Sequence, residues 1–180
     1  MTDVADTQDT GQALSLQAKL IALLRLRRDP DGFTPSARDI ANATRKAPGA
    51  SVSHGQVTSL FNGSSGNPTT STIGAVADAL GAPAAFLLPG AEWDDLTALS
   101  VFVSRPEARE VLRLMLGLEV QDILEISSTL REIRRREGLP EDVPAIPPPP
   151  PGVDQPREGR PRRRSLHEAA ERAADYLEGR

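Results

Sequence analysis

The chain of 180 residues has no cysteine, two histidines, six aromatic residues and two lysines. Without cysteine there is no disulfide framework, no thiol nucleophile, and no zinc or iron–sulfur site of the cysteine type. Two histidines are too few for a histidine-rich metal site. Hydrophobic residues reach 38%, below the roughly 45–50% of an average globular domain. With aromatics at 3%, this argues against an aromatic-rich β-sandwich and suits a modest helical core with polar attachments. No run of about 18 apolar residues occurs, so no membrane span is expected. Met1 to Gly11 carries three aspartates and no basic cluster, so no secretory leader is expected and the cytoplasm is the default compartment. Of the 21 basic residues only Lys19 and Lys46 are lysine. That bias, with abundant alanine and proline, is the composition expected from a GC-rich bacterial genome.

The net charge of −4 hides an uneven distribution. Residues 1–13 hold three acids and no base. Residues 14–90 hold seven bases and four acids. Residues 91–142 hold twelve acids and seven bases, and residues 143–180 seven bases and six acids. A mildly basic segment therefore precedes an acidic one. The local field, rather than the total, governs contact with a polyanion.

The pattern predicts an all-α protein. Residues 1–13 read as a disordered acidic tail. From Ser15, Leu16, Leu20, Leu23 and Leu24 recur at helical steps, with Lys19, Arg25 and Arg27 expected on other faces. Asp29-Pro30-Asp31-Gly32 ends that helix. Thr34-Pro35-Ser36 starts a second, which buries Ile40 and Ala41. Ser53 caps a third helix, with Val57, Leu60 and Phe61 inward, and Asn62-Gly63 stops it. A fourth, from Thr70 or Ser71, turns Ile73, Val76, Ala77 and Leu80 inward and ends at Gly81. Pro83 to Leu87 makes a short fifth. Residues 14–90 form one helical domain on this reading.

A second helical block spans 91–139. Trp93, Leu96, Leu99 and Val103 sit at helical spacing, with Trp93 expected to join the two blocks by packing. Ser104 to Glu107 opens the next helix, and Gly117-Leu118 breaks it. Val120, Ile123, Ile126, Leu130 and Ile133 then recur up to Glu137, with Gly138 as terminator. Residues 140–164 read as a disordered linker rich in proline and arginine, with a polyproline run from Pro147 to Pro151. Residues 165–180 read as an amphipathic terminal helix, marginal alone and suited to a protein partner.

The order Ile40-Ala41, Ser53, Val57, Leu60, Gly63, then Asn67-Pro68 and Ile73, Val76, Ala77, Leu80, Gly81 resembles the Cro/phage-repressor-like helix-turn-helix of the XRE family. The turn before Ser53, filled by Arg45 to Ala50, is longer than in typical phage repressors. A long turn is also found in a narrower branch, the mycobacterial nucleoid-associated secretion regulators. Glu107 to Leu139 is similar to the last helices of that branch without a gap, including Gly117-Leu118 and the ending Leu130 to Gly138. The resemblance covers about residues 14–140. It implies a five-helix DNA-binding domain whose third helix enters the major groove. It further implies a homodimer held by the later helices and able to bridge or occlude promoter DNA.

In that frame the candidate DNA-contacting residues are Ser53, His54, Gly55, Gln56, Thr58 and Ser59 on the third helix. Ser36 and Arg38 at the start of the second, Arg45 and Lys46 in the turn, and Ser64 and Asn67 after the third complete the set. Each also has a plain reading as solvated surface. Gly55 fits either a close approach of DNA or a frayed first turn. Only Gln56 suits bidentate base reading, so sequence preference is expected to be modest. The candidate dimer face is Met115, Leu116, Val120, Ile123, Ile126, Leu130 and Ile133, more apolar positions than one hairpin leaves in water. Scattered acids, two histidines in unrelated segments and no phosphate loop or nucleophile elbow make an enzyme or a cofactor unexpected. Double-stranded DNA and a second copy of the chain are the expected partners. An adaptor that keeps the fold without binding DNA, and a phage-type repressor or antitoxin, are the alternatives.

Overall fold

The computed structural model describes residues 13–27, 34–47, 49–65 and 67–150. All regular structure among them is helical, with no strand. The expected acidic tail (all but its last residue), the linker from residue 151 and the terminal helix at 165–180 lie outside the described residues.

Seven α-helices follow in order: α1 (Leu16–Leu26), α2 (Ala37–Lys46), α3 (His54–Phe61), α4 (Thr70–Ala79), α5 (Leu96–Ser104), α6 (Pro106–Leu114) and α7 (Val120–Arg136). Two 3-10 turns, Ala84–Leu87 and Ala91–Trp93, separate α4 from α5. Side-chain oxygens start the first five helices. Ser15, Ser36, Ser53, Thr69 and Asp95 each accept the backbone N–H three residues on, supplying a partner that the first turn lacks. α4 thus begins at Thr70, one of the two starts that the sequence offers, with Thr69 as its cap. Glycine stops α3 and α4. At Gly63 (φ +68°) and Gly81 (φ +59°) the chain turns left-handed. The following N–H then reaches back to the carbonyls of Ser59 and Ala77 respectively.

Helices α1 to α4 and the first 3-10 turn enclose the core. α2 lies on both α3 and α4, while α1 packs on α3 and on the 3-10 turn. Leu20, Leu24, Ile40, Val57, Phe61, Val76, Leu80 and Phe86 are fully enclosed. Burying each such side chain stabilises the fold by about 1.5–3 kcal/mol. The helical spacing of these residues is the one that the sequence predicts.

Lys19 departs from expectation. Its face of α1 is buried, not solvated, and the side chain is fully enclosed. The ammonium donates to the carbonyl of Leu88 at 2.7 Å and pairs with Asp94 at 2.5 Å. It also stands 5.6 Å from the centre of the Phe86 ring, within cation–π range.

The second block attaches lightly. Leu96 is buried and Leu99 packs against the core. Trp93, in the second 3-10 turn, is half-buried between the two blocks in sequence. Arg109 braces the α5–α6 elbow by donating to the carbonyls of Phe102 and Val103. Beyond α5, no residue of α6 or α7 is buried among the described residues.

After α7 the chain returns to the core, although residues from 140 onward were expected to be an unpacked linker. Thr97 donates its backbone N–H to Ala145 at 2.9 Å and its hydroxyl to Pro144 at 2.8 Å. Ile146 rests on the core cluster. The stretch Pro144 to Ile146 is therefore a strap. Proline lacks a donor but keeps its carbonyl, so Pro144 can still accept from Thr97.

Candidate nucleic-acid interface

α2, the turn after it and α3 carry most of the candidate residues. The turn is long but anchored. Thr44 near the end of α2 is buried, donates its hydroxyl to Ala41 at 2.9 Å, and accepts the N–H of Val52 at 3.1 Å. Val52 is itself enclosed. One hydroxyl thus supplies the polar partner that the buried N–H of Val52 needs and fixes where α3 begins.

α3 is a short helix with two unlike faces. Val57, Leu60 and Phe61 are buried, and Gln17 of α1 donates to the carbonyl of Phe61 at 2.9 Å. His54, Gly55 and Gln56 are exposed, and Thr58 and Ser59 half-exposed. The outer face therefore has one histidine and otherwise small or uncharged groups. Nothing lies within 4 Å of where a Cβ on Gly55 would be. The fold itself does not require glycine there, although glycine costs a helix about 1 kcal/mol relative to alanine.

Several candidate side chains are engaged within the chain. Ser53 and Gln56 form a reciprocal cap. The Ser53 oxygen accepts from the N–H of Gln56 at 3.2 Å, and the Gln56 amide oxygen accepts from the N–H of Ser53 at 2.9 Å. Gln56 is thus turned back onto the helix start rather than outward. Thr58 donates to the carbonyl of His54. Ser64 donates to the carbonyl of Ser59, which ties the loop to α3. Arg45 donates to the side chain of Asn42 at 3.1 Å. Arg38, Lys46 and Asn67 are exposed.

The start of α2 already holds an anion. The Asp39 carboxylate accepts both the N–H of Ser36 at 2.9 Å and its hydroxyl at 2.6 Å. Those bonds hold the Asp39 carboxyl below its ordinary range, with Arg38 adding a smaller effect. Ser36 is therefore committed to Asp39, and Arg38 remains as the exposed cation beside it.

A cluster of hydroxyls at the start of α4 was not singled out in the sequence as a site. The Thr69 hydroxyl lies 2.9 Å from both the Ser71 and the Thr72 hydroxyl. The run Thr69-Thr70-Ser71-Thr72 is its only signal. Among the described residues no three metal-ligating side chains come together, and no helix is long and apolar enough to cross a membrane.

The candidate dimer residues lie just after α6 and along α7. Leu116, Val120 and Leu130 are exposed, at 90%, 72% and 52% respectively. Ile133 is exposed, and Met115, Ile123 and Ile126 are half-exposed. Val111, Leu112 and Leu114 of α6 and Leu124 of α7 are exposed as well. No protein-family model matches this chain, and no curated protein sequence does.

Proposed function

We propose that the chain is a homodimeric, nucleoid-associated DNA-binding regulator of the repressor-like helix-turn-helix type. On this reading α3 enters the major groove and α6–α7 carry the dimer contact. The observation that carries the proposal is the α2–turn–α3 unit. A buried hydroxyl anchors its turn, the inner face of α3 is wholly enclosed, and the outer face presents small groups around a glycine that the fold does not need. A helix reading DNA lies close to base edges and backbone, and small residues on its outer face favour that approach.

The cationic side chains Arg38, Arg45 and Lys46 supply phosphate contacts on this reading, which position the protein without reading sequence. Gln56 is held by its own cap, so base reading falls mainly to His54, Thr58 and Ser59, and sequence preference is modest. The exposed apolar side chains of α6 and α7 support the dimer, because monomers rarely leave so many large apolar side chains in water. Two DNA-binding units on one dimer would occlude or bridge promoter sites.

Fluorescence anisotropy with random duplex DNA tests the reading, run at about 50 mM and about 200 mM salt. Binding that weakens steeply between the two supports it. No binding at the lower salt overturns it and favours a protein-interaction adaptor.

A further inference from the structure

The charge along α7 is divided by halves. From the cap Glu119 to Ser128 the acids are Glu119, Asp122 and Glu125, with no base. From Thr129 to the cap Glu137 there are four arginines, Arg131, Arg134, Arg135 and Arg136, against Glu132 and Glu137. Arg135 is met within the chain by Glu141, at 2.8 and 3.0 Å. Arg136 is met by Glu137 at 3.3 Å, and Arg131 and Arg134 against Glu132 still leave the second half basic. Acids early and bases late also suit the helix dipole, but that effect fades within the first and last turns. Glu125 and Arg131 lie well inside the helix, so the dipole does not account for them.

At the junction of the halves Ile126 is half-exposed and Leu130 exposed, with the polar Ser127, Ser128 and Thr129 between them in sequence. Asp122, Glu125, Ile126, Thr129 and Leu130, spaced by three and four residues, share one open face of α7. That face sets the two carboxylates beside Ile126 and Leu130. An occupant needs an apolar ridge flanked by cations. The later half of α7 has that chemistry, with Leu130 and Ile133 exposed among arginines.

We infer that α7 pairs with α7 of a second copy in antiparallel orientation, the acidic half of each helix against the basic half of the other. The inference rests on the homodimer reading above and adds its geometry. A parallel pairing sets Asp122 and Glu125 beside the same residues of the partner, and the arginines likewise. Like charges juxtaposed across an interface oppose binding, whereas complementary charges fix its register. Apolar contact along α7 drives association in either orientation; the charges choose between them. A two-fold axis crossing the middle of α7 makes the contact self-complementary and closed, and so limits assembly to two copies.

The absence of cysteine makes the test direct. Gln121→Cys and Arg136→Cys place single thiols near opposite ends of α7, and Ser128→Cys places one at its middle. Each full-length variant is spin-labelled and the distance between copies measured, after sedimentation has established the oligomeric state. The antiparallel pairing predicts a short distance for the Ser128→Cys label. It predicts long ones for the two end labels, separated along the axis by about 20 Å because a helix rises 1.5 Å per residue. A mixed dimer of Gln121→Cys with Arg136→Cys gives a short distance. Dimers in which all three like-labelled positions are equally close overturn the orientation but leave the dimer standing. Monomers at every concentration overturn both.

Discussion

The ammonium of Lys19 and the carboxylate of Asp94 meet at 2.5 Å, joining the first helix to the threshold of the second block. The other oxygen of Asp94 accepts the N–H of Leu14 at 2.7 Å. One carboxylate thus holds the start of α1, through its backbone and through a buried side chain, against the segment that leads into α5. The Leu14 N–H and the Lys19 ammonium together keep the Asp94 carboxyl below its ordinary range. Lysine suits the place better than arginine, because a compact ammonium on a slender stem fits where a planar guanidinium does not.

Lys19→Ala is expected to destabilise the protein by about 3 kcal/mol, because it opens a cavity and leaves the Leu88 carbonyl without its donor. Asp94 adds a pH dependence. A carboxyl with a depressed pKa in the folded state contributes stability that is full above its unfolded value, near 3.9. That stability is lost as pH falls through the lower folded value. Melting temperature should therefore fall on acidification below about pH 4, and Asp94→Asn should flatten that dependence. Thermal melts of both variants from neutral pH downward check it; an unaltered acid slope in Asp94→Asn would assign the effect to other carboxylates, Asp39 among them.

Two glycine substitutions should act in opposite directions. At Gly81 the backbone is left-handed, and an added Cβ would come 1.7 Å from a guanidinium nitrogen of Arg27. Arg27 donates there to the carbonyls of Leu80 and Gly81, closing the end of α4. Gly81→Ala is expected to cost about 2 kcal/mol, from left-handed strain and the displaced arginine. Gly55→Ala meets open space and should raise stability by about 1 kcal/mol. If α3 lies close against DNA, it should also weaken binding. Denaturant unfolding with anisotropy on the same samples decides both; a stabilised Gly55→Ala with undiminished affinity would remove the close approach.

Ile123→Asp combined with Leu130→Asp should yield a folded monomer. Neither residue is buried in the single chain, so the charges cost little there, but they would be buried without partners in an interface. Analytical ultracentrifugation reads the outcome, and circular dichroism checks that helicity is kept. A surviving dimer would move the contact off this face.

Truncation after Pro150 and truncation after Gly138 should differ. The first keeps the strap on Thr97; the second removes it and uncovers the core beneath Ile146. The shorter chain is expected to melt several degrees lower, a loss of about 1–2 kcal/mol from one apolar side chain and two hydrogen bonds. Calorimetry on both decides it. Both should still dimerise, since α6 and α7 are intact in each.

Much of this architecture was legible locally. Serine caps at Ser36 and Ser53, the glycine stops at Gly63, Gly81 and Gly138, and inward positions such as Val57 and Leu60 follow from interactions within a few residues. Backbone partners at helix ends and a 3.6-residue repeat leave a direct trace in sequence. The candidate interface was legible in outline, because an apolar face on α3 implies an outer one. The direction of its side chains was not. Gln56 turns onto Ser53, and Asp39 takes up Ser36, because a nearby backbone donor competes for the same polar atoms that were assigned to DNA.

The sequence by itself determined the helices, their ends and the inward faces of α1 to α4, since these depend on neighbours one to four residues away. Only the tertiary structure decided that Lys19 is enclosed, because its carbonyl acceptor lies 69 residues further on and no periodicity marks it. It alone decided that Pro144 to Ile146 is a strap, since the donor on Thr97 is 47 residues earlier. A charge on an apolar face and a proline-rich stretch have no packed place until distant backbone atoms converge to satisfy them.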